Sequence, residues 1–247
     1  MKLGLYPFPS NGEVDDNLVH IARGAALAKE QNVDLLVFHE CALCGYPPLE
    51  TDIHNITPEA VAAGLTRVSV LAREHAMHIA VGTVRFDGDT RYNSVAVYAP
   101  DGSLMGYYDK QALWGWDCDH FAHGVQPGIF DICGLKIGFR ICFDVRFPEP
   151  FRQLYQACAD LCVVCFSDAA KKPDPHRYGL IAAHLRTRAV ENVIPVAAVN
   201  TLTGVQTAPC CVIDGDGSLL AETPLNSEQL LVWDILPAIP ETKRGRR

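Results

Sequence analysis

The sequence has no apolar run of the roughly 18 residues needed to cross a bilayer, no Ser/Gly/Pro-rich linker and no low-complexity tract. The first absence removes any reason to expect a membrane span. The other two leave no domain boundary, so residues 1–247 are expected to form one unit. Positive charge is scarce as well: 21 Lys and Arg stand against 29 Asp and Glu, a formal net charge of −8. A nucleic-acid surface needs clustered cations to neutralise phosphates. The one basic run, Lys243-Arg244-Gly245-Arg246-Arg247, lies at the very end and reads as a frayed, solvated tail. Residues 1–8 carry one Lys and a short apolar stretch, without the longer apolar region or cleavage site of a signal peptide. A cytoplasmic protein that binds neither nucleic acid nor membrane is the expectation.

What is present is a core-building composition, 49% hydrophobic and 20% charged. The ten cysteines are expected to be free thiols in a reducing compartment. Two CxxC pairs, Cys41/Cys44 and Cys162/Cys165, invite comparison with zinc sites, which paired CxxC units can build. However, Cys162-Val-Val-Cys165-Phe is an apolar run of strand type, in which side chains alternate faces and the two sulfurs point apart. No metal is expected.

Hydrophobic periodicity predicts a strand over 3–6, a helix over 14–30, a strand over 34–38, a helix over 60–75 and a strand over 79–84. A hairpin of 95–98 with 104–108 follows, turning at Pro100-Asp101-Gly102-Ser103. The second half repeats the theme: strand 137–141, helix 150–158, strand 161–166, helix 178–192, strand 195–199, then a hairpin of 211–213 with 219–221 around Asp214-Gly215-Asp216-Gly217. Such alternation predicts an α/β fold of mixed sheets covered by helices. Three predicted strands end beside reactive side chains: Glu40, Lys110 and Cys142.

Cys142 lies where an apolar strand gives way to a turn, with Pro148 placed to start a helix soon after. Such a turn exposes a side chain at the sheet edge and leaves the Phe143 N–H free to donate to an oxyanion. A free cysteine is otherwise a small buried hydrophobe. A nucleophilic thiol needs a base or a cation. Nine histidines are present, and their positions nominate none of them. Glu40 directly follows a hydrophobic strand, where partial burial would raise its pKa toward that of a general base. Lys110 taken alone reads as a surface lysine.

Three blocks connect these residues: Phe38-His-Glu40 running to Gly45-Tyr46-Pro47, Tyr107-Tyr-Asp-Lys110-Gln-Ala-Leu113, and Gly138-Phe-Arg-Ile-Cys142-Phe-Asp-Val-Arg146-Phe-Pro-Glu149. With Arg188-Ala-Val-Glu191-Asn192, the stretch from Pro195 to Asn200 and the late hairpin, they resemble the nitrilase superfamily of carbon–nitrogen hydrolases along nearly the whole chain. The resemblance implies a four-layer α-β-β-α sandwich of two mixed sheets and a Glu40–Lys110–Cys142 triad. It further implies an oxyanion held by Lys110 and the Phe143 N–H, no metal or organic cofactor, and a homodimer or larger homo-oligomer. The Arg-Phe-Pro-Glu ending of the third block is most similar to the amidase branch near omega-amidases, which points to a small linear amide cleaved through a thioester with release of ammonia. An N-carbamoyl amidase, which also releases carbon dioxide, a nitrilase and a catalytically silent binding relative are the alternatives.

One position departs from the family pattern. Where many members carry a second glutamate after the lysine, Asp117-Cys-Asp-His-Phe121-Ala-His-Gly124 offers Asp117, a carboxylate about one C–C bond shorter in reach. Tyr46, Trp114, Trp116 and Asp168 fall in loops near the blocks and are expected to line the substrate pocket, Asp168 as a partner for a cationic substrate amine. Arg146 reads either as an anion-binding residue or as the partner of Glu149 in an ordinary ion pair.

Overall fold

Two chain halves, each a parallel strand trio extended by antiparallel neighbours, build the molecule. In the computed structural model, which describes residues 1–47 and 49–236, the first half runs β1 (Lys2–Leu5), α1 (Val14–Glu30), β2 (Leu35–Val37), α2 (Pro58–His75), β3 (His78–Asp87), β4 (Thr90–Tyr98) and β5 (Leu104–Asp109). A short α3 (Asp117–His120) leads to β6 (Ile129–Ile132), β7 (Leu135–Ile141), α4 (Pro148–Gln156) and β8 (Leu161–Phe166). Then come β9 (Ala169–Ala170), α5 (Pro175–Asn192), β10 (Val196–Asn200), β11 (Val205–Gln206), β12 (Cys211–Ile213), β13 (Leu219–Glu222) and β14 (Leu231–Asp234).

One six-stranded sheet has the order β14-β1-β2-β3-β4-β5 and the other β13-β12-β10-β8-β7-β6. Reversing the second aligns them, with β1, β2 and β3 matching β7, β8 and β10 as parallel trios and an antiparallel strand on either side. β14, drawn from the far end of the chain, pairs Leu5 with Leu231.

The period of two along each strand sorts side chains into layers. Leu3, Leu5, Leu35 and Val37 meet Ile137, Phe139, Ile141, Val163 and Val199 between the sheets. The alternate residues Leu36, Ile79 and Val81 face Leu18, Ile21, Val68 and Ala72 of α1 and α2. On the far side Cys162, Val164, Val196 and Ala198 face Phe151, Leu154, Ile181 and Leu185 of α4 and α5. This is the expected α-β-β-α sandwich. Cys162 packs in the outer layer and Cys165 in the inter-sheet layer, on opposite faces as alternation requires.

Helix starts differ from the sequence reading where caps govern them. α2 begins at Pro58 because the Thr57 hydroxyl accepts from Ala60 N–H at 3.2 Å, and α5 begins at Pro175 because Asp174 accepts from Arg177 N–H at 2.9 Å. The strand read over 95–98 begins at Thr90 and makes a long hairpin with β3. The edge strands β6 and β14, four residues each, are too short to show a strand period in the sequence. No helix among the described residues is long and apolar enough to cross a membrane. The basic run at 243–247 lies outside the described residues.

Candidate active site

Lys110 is the first residue after β5, Cys142 the first after β7, and Glu40 follows β2 within one short loop. The first and third of these strands lie in one sheet and β7 in the other, so the three side chains meet across the sandwich at the carboxyl ends of its strands. Cys142 opens a 3-10 turn over Cys142–Arg146 with φ of +40°, a left-handed conformation that costs an L-residue energy unless its surroundings impose it. Asp144 imposes it. Its carboxylate accepts from Ile141 N–H at 2.9 Å and Tyr108 hydroxyl at 2.6 Å, and from Ala112 N–H at 2.7 Å and Gln111 N–H at 3.2 Å. One buried carboxylate thus fastens the Cys142 turn to the loop that carries Lys110.

Glu40, Lys110 and Asp117 are sealed from solvent, at 1%, 1% and 0% exposure. Charges buried to that degree need partners. The Lys110 ammonium donates to Glu40 Oε1 at 2.8 Å and Asp117 Oδ2 at 2.7 Å. Asp117 also receives the Tyr46 hydroxyl at 2.7 Å and Trp114 N–H at 3.3 Å, so the shorter side chain reaches the lysine without help from water. Glu40 Oε1 receives a second donor, Asn93 Nδ2, at 2.7 Å, while Oε2 receives Ser167 N–H at 2.8 Å. An ionised carboxylate oxygen has two acceptor sites. Oε1 is therefore full and Oε2 keeps one open.

The loop bearing Glu40 is pressed against β3. A Cβ on Gly82 would stand 2.1 Å from His39 O and 2.5 Å from Cys41 N, and Leu43 N–H donates to Gly82 O at 3.0 Å. Only a glycine permits this approach.

Burial raises the Glu40 carboxyl above its ordinary 4.5, and the Lys110 charge offsets that in part. Burial opposes the Lys110 charge, but Glu40, the Cys142 sulfur and Asp117 outweigh it and hold the ammonium well above its ordinary 10.5. Burial, reinforced by the Glu40 charge and opposed by Lys110, keeps the Cys142 thiol well above 9.0. At neutral pH the sulfur therefore rests as a thiol and the lysine as an ammonium.

Cys142 and Lys110 open onto a cavity of about 370 Å³ whose walls include Tyr46, Trp114, Phe143 and Ser167. Asp168 is in the wall too, but its carboxylate is already forked by Arg177 (Nε at 3.1 Å, with Nη2 closer) and accepts from the Thr207 hydroxyl at 2.7 Å. It is spoken for by this chain before any substrate amine arrives. Trp116 is not in this wall. Its indole stacks on His120 with centroids 3.7 Å apart and borders a separate depression with Leu49 and His54. Arg146 borders a narrow crevice of about 20 Å³ beside Cys142. Its guanidinium lies 5.0 Å from the centroid of the Phe143 ring, and no ion pair joins it to Glu149 among the described residues.

Asn93, Asp144, Ser167 and Arg177 were not singled out in the sequence. Asp144 lay inside the nucleophile block and Ser167 follows β8 directly, so position was their signal. Asn93 was hidden because the strand containing it was read as starting after it.

Residues 3–244 match the carbon-nitrogen hydrolase family model. A mutant of the amidase from Nesterenkonia sp. AN1, with acrylamide added to its active-site cysteine, superposes with a TM-score of 0.85 at 26% identity, over 96% of this chain and 93% of that one. The 2-oxoglutaramate amidase of Bacillus subtilis is 30% identical over 78% of this chain and 75% of its own length. The glutamine-dependent NAD(+) synthetase of Aquifex aeolicus is 26% identical over 95% of this chain, which spans only 42% of the synthetase. A family match over almost every residue, and a solved fold shared over the same span, lead to one conclusion: this chain belongs to the carbon–nitrogen hydrolase family.

Proposed function

We propose that the chain hydrolyses a small linear amide by way of a thioester on Cys142, with Glu40 as general base and acid and Lys110 as oxyanion stabiliser. The observation that carries this reading is the Lys110 ammonium, buried between Glu40 and Asp117 at 2.8 and 2.7 Å in the wall of the cavity that Cys142 also lines. A lysine so held is a fixed positive charge, spared the cost of reorganising as an oxyanion forms. Relatives support the amide: a 2-oxoglutaramate amidase, and the Nesterenkonia amidase with acrylamide on its cysteine and, in another mutant, in complex with butyramide. A cavity of about 370 Å³ suits ligands of that size.

The thiol is neutral at rest, so its proton moves to Glu40 as the sulfur attacks the amide carbon. The carbonyl oxygen takes up negative charge between the Lys110 ammonium and the Phe143 N–H; as the second residue of its turn, Phe143 has no earlier carbonyl within the turn to receive that hydrogen. Removal of one such donor typically costs about 3 kcal/mol of transition-state stabilisation. Collapse breaks the C–N bond, Glu40 returns its proton to the leaving nitrogen, and ammonia departs. Water then attacks the thioester as Glu40 takes one of its protons, and as the C–S bond breaks Glu40 returns that proton to the sulfur, which regenerates the thiol and frees a carboxylic acid.

Incubation with a mixture of small amides, ureido acids and nitriles, followed by intact-mass measurement, tests this. An acyl adduct on Cys142 with ammonia as the only volatile product is expected. Carbon dioxide alongside ammonia would make it an N-carbamoyl amidase, turnover of nitriles alone a nitrilase, and no adduct or turnover anywhere a binding relative.

A further inference from the structure

Four buried side-chain polar atoms have no hydrogen-bond partner among the described residues: His39 Nδ1, Arg91 Nε, Asn192 Oδ1 and Ser167 Oγ. Of their residues only Ser167 borders the cavity that Cys142 and Lys110 open onto. An unmade hydrogen bond on a buried hydroxyl costs about 1–3 kcal/mol, so such a group beside a ligand cavity calls for a partner that arrives with the ligand. The backbone of the same residue already acts on the site. Its N–H donates to Glu40 Oε2, the oxygen with one acceptor site still open.

These two facts concern one point in space. Glu40 Oε1 is filled by Lys110 and Asn93, so proton traffic runs through Oε2. Whatever exchanges a proton with Oε2 lies next to Ser167. In the proposed reaction two species do so in turn, the leaving nitrogen and then the hydrolytic water. We infer that the Ser167 hydroxyl is a catalytic residue of this site: it accepts a hydrogen bond first from the departing amine and then from the attacking water, holding each against Glu40 Oε2. No bond to Ser167 forms or breaks, because a hydroxyl rotates to donate or accept as needed. The inference rests on the thioester reading, and it adds a residue whose largest effect falls on water capture.

Ser167→Ala tests it, because the substitution keeps the backbone N–H on Glu40 and removes only the orphan hydroxyl. Loss of one neutral hydrogen bond predicts a fall in kcat of about tenfold, with KM for the amide falling alongside it, kcat/KM nearly unchanged and acyl-enzyme accumulating on Cys142 by intact mass. With hydroxylamine as a competing acyl acceptor, the hydroxamate-to-acid ratio should rise as water capture slows. The melting temperature should stay level or rise, since an unsatisfied buried group has been taken away; a merely structural serine would leave the hydroxamate ratio alone. Ser167→Thr, which restores a hydroxyl, should return the ratio toward that of the unaltered protein. A Ser167→Ala protein with unaltered kcat and hydroxamate ratio, or a Ser167→Thr protein indistinguishable from it, overturns the inference while leaving the thioester reading standing. Absence of any acyl adduct in the unaltered protein overturns both.

Discussion

Asp117 Oδ2 stands 2.7 Å from the Lys110 ammonium, and both residues are buried. The pair is one arm of a bridge whose other arm is Glu40 Oε1 at 2.8 Å. Asp117→Asn removes a charge that Lys110 was buried against. Breaking a buried pair costs about 3–5 kcal/mol, and with Glu40 still present the lower end is expected. Urea denaturation should show that loss, with kcat down about 100-fold because a lysine leaning on Glu40 alone compromises the base as well. Retention of full activity would mean that Glu40 alone positions the lysine.

With Glu40 as the proposed base, its proton uptake is expected to set the acid limit of activity. Burial raises its pKa above 4.5, and the base must be ionised, so activity is present above the raised value and is lost as pH falls through it. The acid limb of kcat/KM, which reports the free enzyme, should therefore lie above the ordinary carboxylate range. Lys110 is held well above 10.5 and contributes no alkaline limb below that pH. An acid limb at pH 4 or lower would assign the base elsewhere.

His39 contributes to stability rather than to chemistry. It is fully buried, its Nε2 meets the Ser10 hydroxyl at 2.8 Å, and burial lowers its pKa from 6.5 to about 3. Between those values the unfolded chain binds a proton that the native protein does not, so its contribution is intact above pH 6.5 and declines as pH falls toward 3. The slope approaches about 1.4 kcal/mol per pH unit. Unfolding free energies from urea denaturation at pH 7 and pH 5 should differ by about 2 kcal/mol more in the unaltered protein than in His39→Gln. Equal differences would show that the imidazole titrates freely.

Gly82 is the seat of the Glu40 loop. Its absent side chain leaves room for His39 O, which would lie 2.1 Å from a Cβ. Gly82→Ala must push the loop away from β3. A stability loss of about 1–3 kcal/mol is expected from the overpacking, and a crystal structure should show Glu40 displaced from Asn93 and Ser167. Unchanged turnover in Gly82→Ala would show that the loop tolerates the shift.

The sandwich was legible because both strand and helix periods are written in apolar residues: Leu161–Phe166 and Val14–Glu30 are observed with the bounds expected. Glu40, Lys110 and Cys142 stand out in their blocks and at strand ends, and the structure brings their side chains to one site. Asn93 and Asp144 are different. Each is a polar residue inside an apolar neighbourhood whose value comes from partners distant in the chain, Glu40 for the first and Ala112 for the second. Sequence order carries no trace of such pairings. Trp116 illustrates the converse: an aromatic in the right loop was expected in the pocket, but α3 turns it onto His120 and sends Trp114 to the cavity wall instead.

The carboxylates around Cys142 also bear on which reagents can reach it. Lys110, Arg146 and Arg177 are cations near the thiol, and Glu40, Asp117, Asp168 and Asp174 outnumber them as anions, the last also in the cavity wall. Iodoacetamide and iodoacetate differ by little more than a charge, so their alkylation rates on Cys142 compare the field inside the cleft directly. The neutral reagent should react faster, and the gap should narrow in added salt only in part, because Glu40, Asp117 and Lys110 are buried where mobile ions do not screen them, whereas Asp174 is exposed. Covalent probes for this protein are accordingly best built on uncharged electrophiles.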